Sequence, residues 1–170
     1  MPNIEPQELI RRLGLQPHPA EGGFFVETYR AAEQIAALAL PPWYGADRYM
    51  STCIFYLLTS ETISALHRLQ SDEIFHFYLG DAVEMLQLYP DGRGERIVLG
   101  HNILAGQRVQ QLVPRGVWQG SRLMASGKWA LLGCTVAPGF DYADYEHGSR
   151  ERLIEQYPEW VEQIRLLTNA

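Results

Sequence analysis

The chain has 170 residues, of which 46% are hydrophobic and 20% charged, with a formal net charge of −6. This length and composition suit one compact domain, residues 1–170, with a sizeable core, and are far from the profile of a disordered chain. The acidic balance repels phosphate backbones and anionic bilayers, and no run reaches the roughly 20 apolar residues of a spanning helix, so neither nucleic acid nor a membrane is an expected partner and a cytoplasmic location is expected.

The N-terminal stretch Pro6–Leu13 has a proline suited to a first helical turn, Leu9, Ile10 and Leu13 at helical spacing, and Gly14 as a stop. A short amphipathic helix is predicted there. Phe24–Arg30 follows turn residues, is rich in aromatic and β-branched positions and reads as a strand. The alanine-rich and proline-interrupted segment 31–49 reads as a long loop with a helical turn over Ala31–Ala37, of the kind that serves as a lid or a partner contact.

Eight short apolar stretches follow, at Ser51–Thr59, Thr62–Leu69, Glu73–Leu79, Val83–Tyr89, Ile97–Ile103, Arg108–Val113, Val117–Met124 and Lys128–Val136. Turn signals such as Gly80-Asp81, Pro90-Asp91-Gly92 and Pro114-Arg115-Gly116 separate them. Strands at this spacing predict an all-β, antiparallel sandwich or barrel. A polar aromatic loop, PGFDYADYEHG, leads into two helical pieces, Ser149–Gln156 with Ser149 as cap and Pro158–Leu167. Cys53 and Cys134 lie in apolar strand-like runs and read as buried thiols.

The one dense cluster of reactive side chains is Ser64–Gly80, SALHRLQSDEIFHFYLG. Strand alternation places Ala65, His67 and Leu69 on one face and, across a face-preserving turn, Glu73, Phe75 and Phe77 with them. His76 and Tyr78 then point the other way.

His67, Glu73 and Gly80 match the spacing of the first cupin motif, with Leu69 where that motif has its second histidine and Glu61 where it opens on glycine. Pro114 and Gly116 match the turn of the second motif, with Gln119 in place of its histidine and Leu123 in place of its asparagine. Together with EGGFFVETYR, VPRGVW and LLGCTVAPGFDYADYE, the pattern resembles the cupin family of unknown function with an RmlC-like fold. The resemblance implies a double-stranded β-helix, a jelly-roll barrel flanked by short N-terminal and C-terminal helices, and a homodimer paired through sheet edges and the Phe24–Tyr29 strand.

A cupin metal is held by three histidines and a glutamate. With Leu69 and Gln119 in two of the four places, no metal and no other cofactor is expected. The comparison with RmlC-type epimerases then makes His67 the expected base on a carbon beside a carbonyl, with Glu73 orienting it or serving as second acid/base group. A tyrosine is the expected proton donor, with Tyr29, Tyr56, Tyr78 and Tyr142 as candidates. Tyr29, Arg30, Phe75, His76, Tyr78, Trp118 and Gln119 are the candidate substrate contacts, Arg30 as anchor for an anionic group and Trp118 at the barrel mouth. The expected function is a metal-independent isomerase or epimerase on a carbohydrate-like small molecule. A non-catalytic metabolite-binding cupin, and a metal-dependent oxygenase or isomerase using His67, Glu73, His76 and Gln119, are the alternatives.

Overall fold

The computed structural model describes residues 4–168. Helix α1 spans Pro6–Leu13 and ends on Gly14, whose φ of +67° is the left-handed conformation glycine adopts without a Cβ penalty. Its apolar side places Leu9 against Leu57 and Leu131. The strands are β1 (Gln16–Pro17), β2 (Phe24–Arg30), β3 (Gln34–Ile35), β4 (Arg48–Tyr49), β5 (Thr52–Thr59), β6 (Ile63–Leu69), β7 (Asp72–Gly80), β8 (Val83–Leu88), β9 (Gly94–Leu99), β10 (Gln110–Val113), β11 (Trp118–Leu123), β12 (Trp129–Ala137) and β13 (Tyr145–His147). Helices α2 (Arg150–Gln156) and α3 (Val161–Leu166) close the chain.

The strands form two facing antiparallel sheets, ordered β1-β2-β5-β12-β7-β10 and β13-β6-β11-β8-β9. This is a jelly-roll sandwich, as the strand spacing predicts. Each strand turns alternate residues inward, and Tyr56, Leu58, Phe77, Met85, Ile97 and Leu132 fill the space between the sheets. A second apolar layer lies outside the five-stranded sheet, where Leu153, Tyr157, Ile164 and Leu167 of the C-terminal segment cover Leu66, Leu86, Leu88 and Trp118. Among the described residues, no helix is long and apolar enough to cross a membrane.

Several boundaries differ from the sequence reading. Segment 31–49 holds the β3-β4 ladder and a 3-10 turn at Ala37–Ala39 in place of a helical turn at Ala31–Ala37. Polar tethers explain this: Asp47 Oδ1 accepts the Ala37 N–H at 2.8 Å, and the buried Arg48 guanidinium donates to both Asp144 oxygens, at 2.7 and 2.6 Å. Ile97–Ile103 ends as a strand at Leu99, because Asn102 accepts the Ala105 N–H and starts a 3-10 turn that Gly106 terminates. The polar aromatic loop contains β13, which pairs with β6. Ser149 stands at the helix-cap position, but its hydroxyl donates to Glu151 and caps no backbone N–H. Cys134 is buried, whereas Cys53 is half-buried.

Candidate functional site

β6 and β7 carry the reactive stretch, joined by a turn at Gln70 and Ser71. Glu73 follows that turn and points inward with Phe75 and Phe77, while His76 and Tyr78 take the outer face. β11 pairs with β6 so that Gln119 faces His67 across the ladder. His67, 1% exposed, donates through Nδ1 to the Ala65 carbonyl at 2.8 Å. A carbonyl only accepts, so the neutral ring holds its proton on Nδ1 and presents the Nε2 lone pair. The Gln119 amide donates to that lone pair at 2.7 Å and to Glu73 Oε2 at 2.9 Å. One amide thus ties the histidine to the carboxyl, and its own Oε1 has no hydrogen-bond partner.

A cavity of about 260 Å³ opens in front of Glu73. Its polar floor is Glu73, Glu21 and His18, and Tyr56, Phe25 and Phe75 wall it. Its mouth carries Arg30, Glu27, Asp141, Phe140 and Tyr142. Glu21 reaches the floor because the chain bends tightly at Gly22 and Gly23, with φ of +91° and +68°. The Gly22 carbonyl accepts the Tyr56 hydroxyl at 2.7 Å, and the Glu21 carbonyl accepts the Ala65 N–H at 2.8 Å. His18 Nδ1 accepts the Ala20 and Glu21 N–H groups at 3.3 and 2.9 Å, so its proton sits on Nε2, 3.5 Å from Glu21 Oε1. The same oxygen lies 3.5 Å from His67 Nε2.

Burial dominates the electrostatics. It pushes the Glu73 carboxyl up to about 8, helped by the negative charge of Glu21 and opposed by a hydrogen bond with Cys134. Glu73 is therefore largely protonated at neutral pH. Burial also holds the His18 imidazole below its ordinary value, against the pull of Glu21, so His18 is largely neutral there. The Tyr56 phenol and the Cys134 thiol are both raised, chiefly by burial, and stay protonated.

The expected site residues divide into three groups. Glu73, Phe75 and Arg30 line the cavity. His67 and Gln119 lie directly behind its wall, so the lone pair expected to act as a base is covered by the amide. Tyr29, His76, Tyr78 and Trp118 lie away from it. Tyr29 is 54% exposed. His76 bonds Thr135 at 3.1 Å on the outer sheet face, and Tyr78 lies over Gly133 there. Trp118, expected at the barrel mouth, faces the C-terminal helices with the Arg68 guanidinium 4.5 Å over its ring, because alternation along β11 sends it opposite to Gln119. Of the candidate proton-donor tyrosines, Tyr56 and Tyr142 reach the cavity. Arg30 is already paired with Glu27 at 2.6 Å and stacked 4.7 Å over Tyr49.

Glu21, His18 and Asp141 are cavity residues that strand periodicity does not single out. Their signal is the Glu-Gly-Gly sequence, an acid followed by two residues free to approach a neighbouring backbone.

The donor set does not fit the metal of metal-binding cupins. Leu69 supplies no ligand, and Gln119 turns its amide nitrogen, which cannot ligate, to His67 and Glu73. Among the described residues, no three His, Cys, Asp or Glu side chains converge as a ligand set. A divalent ion needs several charged or strongly donating ligands at once.

Comparison with known proteins agrees with this architecture. A Leishmania major hypothetical protein superposes with a TM-score of 0.89 at 31% identity, covering 98% of this chain and 100% of that one. A Shewanella oneidensis protein gives 0.85 at 32% identity, covering 98% of each chain. An uncharacterised Saccharomyces cerevisiae protein is 31% identical over 149 residues, 82% of this chain and 73% of that protein. More distant structures share the fold alone: Bacillus subtilis oxalate decarboxylase at TM-score 0.53 and 14% identity, of which this chain spans 37%, and a dTDP sugar isomerase from Desulfovibrio desulfuricans at 0.51 and 14%. The family model described as cupin superfamily (DUF985) matches residues 7–148, and the chain belongs to that family.

Proposed function

We propose that the barrel binds a small carbohydrate-like metabolite and acts on it as a metal-independent isomerase or epimerase, with Glu73 exchanging the proton and His67 positioning it through Gln119. The observation that carries this reading is a buried carboxyl, 7% exposed, on a cavity floor, bridged by an amide to a histidine of fixed tautomer. A carboxyl raised to about 8 is a stronger base, when ionised, than an ordinary carboxylate, and it titrates near neutrality where proton transfer is most effective. In its ionised form Glu73 takes a proton from a carbon beside a carbonyl and returns it to the neighbouring carbon, while the Tyr142 hydroxyl gives its proton to the carbonyl oxygen and recovers one from the adjacent hydroxyl. In epimerisation the planar intermediate turns over before the same carbon takes the proton back. No proton is gained or lost overall. Tyr142 remains the candidate to hydrogen-bond the carbonyl oxygen, because the one proton of the Tyr56 hydroxyl is already given to the Gly22 carbonyl. The fold shared with the dTDP sugar isomerase is compatible with such chemistry, and a volume near the low end of ligand pockets, about 300–1,000 Å³, suits a single ring.

The test is solvent deuterium wash-in, read by mass spectrometry over a panel of aldoses, ketoses and amino sugars. Wild-type protein incorporates deuterium at carbon. Glu73→Gln loses it by about 10²–10⁴-fold, the usual share of a general acid-base group. A cavity that binds a panel member with no exchange above background would replace this reading with metabolite binding without turnover, which the covered His67 lone pair favours.

The proposal includes a homodimer. No strand among the described residues covers β2 beyond Phe25, and Tyr29, Tyr78 and Leu112 are exposed. Light scattering at micromolar concentration should give twice the chain mass.

A further inference from the structure

The charge of the cavity specifies its ligand more narrowly than the fold does. Glu21, Glu27, Glu73 and Asp141 face it, against two basic side chains, Arg30 and His18. Arg30 is neutralised by Glu27 through two hydrogen bonds, at 2.9 and 2.6 Å. His18 spends Nδ1 on backbone amides and turns Nε2 toward Glu21. No positive charge remains uncommitted among the described residues lining the cavity. The floor offers acceptors as well, the Glu21 carboxylate and, just behind, the unpartnered Gln119 Oε1, while the second Glu73 oxygen carries the acid proton and becomes an acceptor once that proton leaves.

The rest of the wall is aromatic. Phe25 and Tyr56 flank His18, with the Phe25 ring centroid 4.7 Å from the imidazole, and Phe140 and Tyr142 pack edge to face at the mouth, 5.0 Å apart. Ring faces are the negative part of an aromatic quadrupole and attract cations, more strongly when water is excluded. Acceptors at the floor and aromatic rings at the side make a site for a positively charged hydrogen-bond donor. An anion would meet uncompensated carboxylates in a low-dielectric pocket, where like charges repel strongly.

We infer that the cavity takes a small, amine-bearing cationic ligand, its ammonium held by Glu21 and Glu73 against the Phe25 and Tyr56 walls, and that it rejects phosphate esters and other anions. This rests on the proposed use of the cavity as the ligand site, and it makes the carbohydrate-like substrate an amino sugar in place of a phosphorylated or nucleotide-linked one. It also gives Arg30 another task. The guanidinium holds Glu27 at the mouth and does not anchor an anionic group.

The experiment is isothermal titration of the full chain at pH 7 with glucosamine, glucose and glucose 6-phosphate, and with cyclohexylamine, cyclohexanol and cyclohexanecarboxylate. In each series the cation should bind about tenfold tighter than the neutral ring, and the anion should not bind measurably. Cation binding should release protons, seen as a dependence of the apparent enthalpy on buffer ionisation, because an ammonium beside Glu73 favours its ionised form. Glu21→Gln should abolish the preference, and Asp141→Asn, which keeps the oxygen that caps the Ala143 N–H, should weaken it. Tighter binding of the neutral or anionic member, or no binding by any of the six, overturns the inference. Binding of cyclohexylamine with none of the sugars would leave the charge assignment standing and refute the carbohydrate reading. Binding of glucosamine without deuterium exchange would refute turnover alone.

Discussion

Replacing Glu73 by glutamine should stabilise the protein, and by an amount that grows with pH. In the folded chain the carboxyl titrates at about 8, against an ordinary value of 4.5. Between those values the folded state holds a proton that the unfolded chain has released, so unfolding becomes easier as pH rises through that window. Each pH unit weakens folding by ~1.4 kcal/mol, roughly 3 kcal/mol by pH 7 and roughly 4 kcal/mol by pH 8, where the folded carboxyl is itself half ionised. Glutamine has no such proton, is close to isosteric, and can accept the Gln119 N–H through its own oxygen. The variant should match wild type near pH 4.5 and exceed it at pH 7 by roughly 3 kcal/mol, a midpoint rise of about 6–12 °C for a chain of this size. The groups that face Glu73, namely Glu21, Cys134 and Gln119, and nearby His18 are common to both proteins, so the difference between their pH profiles isolates the one carboxyl. Thermal and urea unfolding followed by circular dichroism at pH 4.5, 6, 7 and 8 measures it. A difference that stays flat across this range would refute the argument that Glu73 is held neutral by burial.

Gln119→Leu removes the donor shared by His67 and Glu73 and leaves two buried acceptors without it, at about 1–3 kcal/mol each. Wash-in should fall at least about 10²-fold, and nitrogen NMR of the wild-type imidazole should show the His67 proton on Nδ1. Arg48→Met strands the buried Asp144 carboxylate, so stability should drop by about 3–5 kcal/mol, read as the urea midpoint multiplied by the slope. Gly22→Ala forces a side chain into a left-handed backbone with its Cβ 2.5 Å from the Ile63 carbonyl. It should cost at least about 1–3 kcal/mol and, by displacing Glu21, abolish ammonium binding in calorimetry.

The strands were legible because apolar alternation and Gly/Pro turns are local signals, and the Glu73–Phe77 face followed from the period of two alone. The two-residue β1 and three-residue β13 are too short for a period, and β13 forms because its backbone pairs with β6 while Tyr145 stacks 5.2 Å from His67. The histidine and glutamate were visible as a pair, but the amide between them comes from a strand 52 positions after His67, and a donor shared by two buried groups has no sequence period. Glu21 was hidden for a related reason. It reaches the floor through a glycine bend, so its position depends on the close approach of two backbones. Trp118 and Gln119 show how much one residue of register decides: adjacent on β11, they belong to different layers of the molecule.

Gly133 has an influence out of proportion to its size. It is the β12 residue opposite His76, and the Tyr78 ring lies in the notch its missing side chain leaves, with the hydroxyl 2.4 Å from where a Cβ would be. The tyrosine works as a key in a slot. It sits on the solvent side where the β7–β12 register shifts by one residue, and beyond that bulge β7 is paired on both edges, to β12 and, over Glu73–His76, to β10. A contact on the solvent side thus bears on the strand that carries Glu73 inside the barrel, and a methyl group at Gly133 would have to displace the Tyr78 ring from it.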